Sequence, residues 1–233
     1  MPSLPGSRTL GVTARWLLGT GLVSWRYMWE TTPLHRREGP GDATDRPPAL
    51  PPEQVDEQVL QSHQGHGALF HRSFRVRVEG ARLGAEQLID HVARDFKHFV
   101  PSEVVDVRTG HLGHTGLQPG DELVVEMPGP WNGPVRVVER DRDCLRLATL
   151  RRHLEAGQVV FRAYPEAGLL VFEIELWARA SGRLVDLLYS RLRFAKEVQL
   201  NMWVRFCLAA AATAGGRPVD GVHISTRRIL HDA

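Results

Sequence analysis

The chain has 233 residues but little lysine and little cysteine. Lysine occurs only as Lys97 and Lys196, so arginine carries nearly all of the positive charge. The 29 basic and 27 acidic side chains almost cancel, which argues against a nucleic-acid-binding protein because such proteins need a strongly basic surface. The two cysteines, Cys144 and Cys207, form no disulfide or metal-ligand pattern. This usage predicts a reducing, cytoplasmic location.

Sequence motifs for common cofactors are also absent. The chain has no phosphate-binding loop, no dinucleotide fingerprint and no nucleophile elbow. Two histidine pairs, His63 with His66 and His111 with His114, lie in glycine-rich loops without a nearby cysteine or carboxylate cluster. We therefore expect no metal site and no cofactor, so that any enzyme with this sequence would be cofactor-free.

The N-terminal region predicts an amphipathic arm and not a membrane span. Its apolar stretch, residues 16–25, is far shorter than the roughly 20 residues that cross a bilayer. Tryptophan and leucine recur at steps of three and four residues, which favours a helix with one apolar face. This Trp-rich face is expected to pack on the domain, with contact to a partner, a second copy or a membrane interface as alternatives. Proline and glycine in residues 32–52 indicate a linker, so residues 1–52 form arm and linker.

Residues 53–233 form the predicted domain, and most of it has the two-residue alternation of β-strands. The first strand is residues 70–79, and a helix over residues 83–96 follows it and ends before Pro101. Further strands are predicted at 104–107, 122–127, 135–140, 144–150, 158–163 and 169–178. Short connections with hairpin signals join most of them. The natural pairing is a curved antiparallel sheet of about six to seven strands.

One long apolar helix is predicted after these strands. It begins at Ser181, a good N-cap, and ends at Gly215 and Gly216. About 34 residues at about 1.5 Å each give roughly 50 Å, enough to cross the whole domain. A sheet and a single helix bury both of their apolar surfaces most simply when the sheet wraps around the helix. The sequence therefore predicts an α+β helix-grip fold.

Apolar side chains dominate the inward face of the predicted sheet, which indicates a hydrophobic cavity between the sheet and the helix. The candidate ligand-binding residues point into this space or over its mouth: Thr149, Phe161, Phe172, Arg191, Gln199, Met202 and Trp131. Gln199 lies in the apolar stripe of the helix, where it either binds a ligand or caps a backbone group. Trp131 lies on a proline-stiffened loop, where it either closes over the cavity or packs on a neighbouring loop.

His153 and Glu155 are the best candidates for acid–base chemistry. They are two residues apart at a strand edge and would point to the same side, where the carboxylate could orient the imidazole. The alternative is a surface turn in which Glu155 pairs with Arg151 or Arg152.

The order of one strand, helices, six strands and a long helix resembles the START-like or SRPBCC superfamily. Its helix-grip members include birch pollen allergens, lipid-transfer domains and polyketide aromatase/cyclases. Residues 147–158 (LATLRRHLEAGQ), followed by 171–174 (VFEI), are similar to a bacterial domain-of-unknown-function branch. That branch has a Gly-His-x-Glu-x-Gly-Glu turn, in which Arg152 here replaces the first Gly and Gln158 the last Glu. The resemblance implies a hydrophobic ligand cavity and no particular reaction.

Three functions remain open on the sequence. The first is binding or carrying of a small hydrophobic molecule, such as a lipid, polyketide or isoprenoid-like compound. The second is a cofactor-free cyclase or hydrolase that acts on such a molecule with His153 and Glu155. The third is an interaction protein whose interior is filled by its own side chains.

Overall fold

The computed structural model describes residues 32–101, 106–109, 116–126, 132–182 and 193–230. The chain separates into two units, Met1–Pro33 and Leu34–Ala233. The predicted N-terminal arm lies outside the described residues, as do Trp131, Arg191, His111 and His114.

The described residues contain nine strands and three α-helices. In chain order these are β1 (Leu34–Pro40), β2 (His66–Glu79), α1 (Ala85–Arg94), α2 (Phe96–Phe99), β3 (Asp106–Thr109), β4 (Glu122–Glu126), β5 (Asn132–Arg140), β6 (Cys144–Thr149), β7 (Glu155–Glu166), β8 (Leu169–Ala180), α3 (Arg193–Thr213) and β9 (Arg217–Ile229). Short 3-10 turns at Ala43–Asp45, Pro52–Gln54 and Ser62–Gln64 lie between β1 and β2. The predicted α+β class is confirmed.

All strands belong to one sheet, in the order β1-β9-β2-β8-β7-β6-β5-β4-β3. Strands β3 to β8 form an antiparallel meander, and β2 pairs antiparallel with β8. The hairpin signals in the sequence predicted this meander, because connections of a few residues can join only antiparallel neighbours.

Two strands extend the sheet beyond the predicted six to seven. β9 follows α3 along the chain and pairs with both β1 and β2, so α3 is not the last element of the domain. β1 lies parallel to β9, with Leu34 opposite Val222, inside the stretch that was predicted to be linker. That prediction was wrong for Leu34–Pro40. Its residues are mostly polar and exposed, as an edge strand permits, so they lack the apolar alternation from which a strand is predicted.

The helix α3 is described over 21 residues, from Arg193 to Thr213. It ends at the predicted place, since Gly215 has a φ of 74°, the left-handed conformation that terminates helices. Residues 183–192 lie outside the described residues, so the predicted length of the helix stays a prediction. None of the described helices combines the length and the apolar composition that crossing a bilayer needs.

Aromatic side chains fill much of the space between the sheet and α3. The ring centroid of Phe206 on α3 lies 4.9 Å from that of Phe161 and 5.9 Å from that of Phe172. Phe96 and Phe99 of α2 lie 5.5 Å and 5.3 Å from Phe206 on another side. All five rings are buried, which makes this cluster the centre of the core.

Residues 42–64, here called the outer strap, cross the face of the sheet opposite α3. Backbone carbonyls of the strap accept hydrogen bonds from the sheet: Asp45 from Trp177 Nε1 at 3.0 Å, Pro48 from Gln158 Nε2 at 2.9 Å and Ala49 from Arg146 Nη1 at 3.0 Å. Arg146 is only 7% exposed as a result. The stretch predicted as a linker is therefore a packed part of the domain.

Candidate functional site

Three polar side chains from three elements meet on the inner face of the sheet. Arg72 Nη1 of β2 donates a hydrogen bond to Gln199 Oε1 of α3 at 2.6 Å. The Gln199 amide Nε2 donates to the Glu155 carboxylate of β7, at 3.0 Å from Oε2 and 3.3 Å from Oε1. Gln199 and Glu155 were predicted for separate roles, and the fold brings them together. The amide thus bridges a cation and an anion.

Arg72 reaches this position because strands alternate their side chains. It is two residues from both Phe70 and Phe74, so it lies on the same inward face of the strand, and it pairs with Leu176 of β8. Its guanidinium carbon lies 5.3 Å from the centroid of the Phe70 ring, in a cation–π contact. The sequence reasoning missed Arg72, although a single charged residue in an otherwise apolar alternation was the signal that marked it.

A cavity of about 30 Å³ lies beside these three side chains. Its walls include Ala68, Phe70, Arg72, Glu155, Leu176 and Ala178. A volume of this size holds about one water molecule, whereas a pocket for a drug-sized molecule measures roughly 300 Å³ or more. Within the described part of the chain, this space is therefore a polar niche at the end of a packed core.

His153 is held by the main chain of its predicted partner. The backbone N–H of Glu155 donates to His153 Nδ1 at 2.8 Å, while the Glu155 carboxylate is bonded to Gln199. Burial lowers the pKa of His153, and the negative charge of Glu155 offsets part of that effect. A Cβ at Gly133 would lie 3.0 Å from His153 Nε2, so the ring packs against the start of β5. The lowered pKa favours the neutral form of the ring, and its joint catalytic role with Glu155 stays a prediction.

The hydroxyl of Thr149 serves the backbone. Its Oγ1 accepts a hydrogen bond from the Gly157 N–H at 2.9 Å and donates to the Leu60 carbonyl at 2.8 Å. These contacts tie β6, β7 and the outer strap together at the point where β7 begins. A ligand would have to compete with them for the hydroxyl group.

The other predicted ligand-binding residues fall into three groups. Phe161 and Phe172 are fully buried in the aromatic cluster around Phe206. Met202 is half-buried on α3, less than one turn after Gln199. Arg191 and Trp131 lie outside the described residues. Phe161 and Phe172 thus belong to the packed core, whereas Gln199 bonds to two side chains that line the cavity.

Comparisons with known proteins find similarity among solved structures. No family model matches the chain, and no curated protein matches it. A hypothetical protein of Helicobacter pylori is 14% identical, with a TM-score of 0.44, over 61% of this chain and 86% of its own. The di-domain ARO/CYC StfQ from the steffimycin biosynthetic pathway is 11% identical, with a TM-score of 0.43, over 66% of this chain and 54% of its own. Norcoclaurine synthase of Thalictrum is 10% identical, with a TM-score of 0.44, over 64% of this chain and 98% of its own.

Proposed function

We propose that this chain binds a small, mainly apolar molecule between the sheet and α3, with the polar group of that molecule held by Arg72, Gln199 and Glu155. One observation carries the proposal: three polar side chains from three separate elements converge beside a cavity on an otherwise apolar face. Ligand sites in proteins have this composition, with apolar walls and a few convergent polar groups.

The hydrogen-bonding chemistry of the three groups defines the polar part of the ligand. A guanidinium has five N–H donors, and Gln199 Oε1 accepts from one of them. An ionised Glu155 only accepts hydrogen bonds. A ligand with both an acceptor and a donor, such as a hydroxyl or an amide, can therefore be held by Arg72 and Glu155 together. A ligand with an anionic group is favoured at Arg72 alone.

The apolar part of the ligand would lie along Phe70, Leu176 and Ala178, which line the cavity. The present volume of about 30 Å³ requires side chains to move when a larger molecule enters. Gln199 and Met202 are suited to this movement because they are half-buried and unbranched. We therefore expect binding to replace the Arg72–Gln199 hydrogen bond by a bond from Arg72 to the ligand.

The test is a fluorescence titration with 1-anilinonaphthalene-8-sulfonate, an aromatic probe with one anionic group, supported by native mass spectrometry of protein purified from its own host. Arg72→Leu should weaken binding of the probe about tenfold or more, since it removes a charge-assisted hydrogen bond. Arg142→Met is the matched control, because the Arg142 side chain is 84% exposed and does not line the cavity. The proposal would be contradicted if wild type and Arg72→Leu bound the probe with equal affinity and native mass spectrometry found no retained hydrophobic molecule.

A cofactor-free enzyme is the second candidate, because the Glu155 carboxylate lies at the cavity and the His153 ring is bonded to the backbone of the same residue. His153→Ala separates this candidate from the first. It should abolish turnover if the chain is an enzyme, and it should leave affinity for the probe within a few-fold if the chain is only a binding protein.

The third candidate, an interaction protein with a filled interior, is favoured by the aromatic cluster around Phe206. In that case the wild-type protein would retain no small molecule and would bind the probe no better than Arg72→Leu does. Recovery of a bound hydrophobic molecule from native protein would exclude it.

A further inference from the structure

Two histidines and an aspartate meet on the outer face of the sheet, and one of the histidines is far along the chain from the other two residues. His35 lies on β1, and Asp220 and His223 lie on β9. His35 Nε2 is 3.1 Å from Asp220 Oδ1, and His223 Nε2 is 3.2 Å from Asp220 Oδ2. The two imidazole rings are stacked with centroids 4.6 Å apart. One donor atom from each residue lies within 4.8 Å of the others.

The backbone of β9 is irregular where it supplies the aspartate. Residues 220 and 223 are three apart, so a regular strand would point their side chains to opposite faces of the sheet. Asp220 has a φ of 60° and Gly221 a φ of 69°, and the register with β2 shifts there, between Val76 and Arg77. This bulge turns Asp220 to the same side as His223, at the cost of a left-handed conformation in a non-glycine residue.

The parallel register of β1 and β9 supplies the third group. His35 lies directly opposite His223, so both imidazoles project from the same face of neighbouring strands. Residues from both strands and the bulge are therefore needed to bring the three groups together. From the sequence, His35 falls in a predicted linker and residues 217–233 carry no predicted element, so local patterns give no reason to combine the three residues.

We propose that His35, Asp220 and His223 bind one divalent transition-metal ion, with Zn²⁺ the best fit to the donor set. Two imidazole nitrogens and one carboxylate oxygen are common zinc ligands, with metal–ligand bonds of about 2.0–2.2 Å. Ligand atoms on a tetrahedral ion then lie about 3.4 Å apart. His35 Nε2 and His223 Nε2 lie 3.1 Å and 3.2 Å from different oxygens of the Asp220 carboxylate, and one donor atom from each residue lies within 4.8 Å of the others, so the side chains must close around the ion as it binds. His35 and Asp220 are exposed, so water can complete the coordination.

One neighbouring side chain bears on metal affinity. Arg77 Nη2 lies 3.6 Å from Asp220 Oδ2, so a metal ion must share the carboxylate with this guanidinium or displace it. We expect moderate affinity that rises when Arg77 is replaced.

Such an ion would fasten the edge strand β1 to β9. Metal that binds the folded chain and not the unfolded chain stabilises the fold in proportion to the logarithm of its concentration. His35 and Asp220 are 185 positions apart in the chain, so an unfolded chain holds no preformed site. The metal would act as a structural clamp outside the ligand niche of the inner face.

The test uses the full chain without an affinity tag, freed of metal with EDTA. Isothermal titration with ZnCl₂ should give one ion per chain, and the melting temperature should rise with zinc concentration. Replacing ligands should weaken binding about tenfold or more, since loss of groups that merely support metal ligands already costs that much. His35→Gln, His223→Gln and Asp220→Asn are the variants, and Asn tolerates the left-handed backbone at position 220. The double variant His63→Gln/His66→Gln is the control, and it should bind zinc like wild type.

Unchanged zinc affinity in His35→Gln and His223→Gln, or no zinc binding by wild type, would overturn the proposal. Melting temperatures in EDTA establish that the variants fold. If a variant does not fold, histidine-ring NMR of the wild type decides: one equivalent of Zn²⁺ should shift the signals of His35 and His223 before those of the other histidines. Shifts that begin at His63 or His66 would contradict the assignment.

Discussion

The imidazole of His71 lies between the carboxylates of Asp45 and Glu175. Its Nδ1 is 3.0 Å from Asp45 Oδ1 and its Nε2 is 3.2 Å from Glu175 Oε1, and its ring stacks on Trp177 with centroids 4.7 Å apart. Burial lowers the pKa of His71, but hydrogen bonds to Glu175 and Asp45 outweigh this, so the pKa lies above its ordinary value of 6.5. Since Asp45 belongs to the outer strap, the charged ring fastens the strap to the sheet.

This arrangement predicts pH-dependent stability. A pKa that is raised by folding gives a contribution that is complete below the unfolded pKa of about 6.5 and is lost as pH rises through the folded pKa. Urea unfolding should therefore show His71→Gln to be less stable than wild type by about 1–3 kcal/mol near pH 5.5. The difference should shrink near pH 8.5 as the ring loses its charge. His63→Gln, at an exposed site, is the control, and a His71→Gln deficit that does not change with pH would contradict the prediction.

The outer strap should come loose when its side-chain anchors are removed. Arg146 donates to the Ala49 carbonyl and pairs with Glu139 at 2.7 Å, and Gln158 donates to the Pro48 carbonyl. In Arg146→Met/Gln158→Met the backbone of the strap loses both hydrogen bonds to the sheet, each of which contributes about 0.5–1.5 kcal/mol. Limited proteolysis should then cut residues 42–64 several times faster than in wild type. Arg142→Met should be cut at the wild-type rate, and equal rates for all three proteins would disprove the anchoring role.

Gly157 is expected to accept no side chain. A Cβ at this position would lie 1.8 Å from the carbonyl oxygen of Trp177, which belongs to the paired strand β8 and cannot move aside. Gly157→Ala should therefore lower the free energy of unfolding by about 2 kcal/mol or more, since overpacking forces the backbone to shift. A Cβ at Gly182 meets nothing within 4 Å, so Gly182→Ala is the matched control and should unfold like wild type. Equal denaturation midpoints for the two variants would rule out this steric account.

The aromatic cluster should dominate the stability of the core. Phe206 contacts rings from α2, β7 and β8, so Phe206→Ala would leave a cavity among well-packed side chains. The expected loss is about 3–5 kcal/mol of unfolding free energy. Leu230→Ala removes a comparable apolar group that is 64% exposed, and its effect should stay within about 0.5 kcal/mol. Chemical denaturation of the two variants measures both, and a loss below about 1 kcal/mol for Phe206→Ala would mean that the cluster is loosely packed.

The sequence predicted the candidate site only in part, and the reason differs from residue to residue. Gln199 was recognised as a polar residue in the apolar stripe of the helix, which helical spacing is able to reveal, and Glu155 was recognised only as a partner of His153 at a strand edge. Their hydrogen bond to each other could not be predicted, since it joins residues 44 positions apart that only the packing of α3 on the sheet brings together. Arg72 was overlooked because the apolar residues around it already satisfied the strand pattern.

The strands β2 to β8, the end of the last helix just before Gly215 and the inward position of the phenylalanines were determined by the sequence itself. These features depend on side-chain periodicity and turn residues within a few positions of one another, and such signals are local. Tertiary structure alone decided that β9 and β1 extend the sheet, that the outer strap covers its far face, and that Arg72 meets Gln199 across 127 positions of the chain. Contacts of this kind depend on which surfaces remain to be buried after the local elements have formed, and that information is distributed over the whole chain.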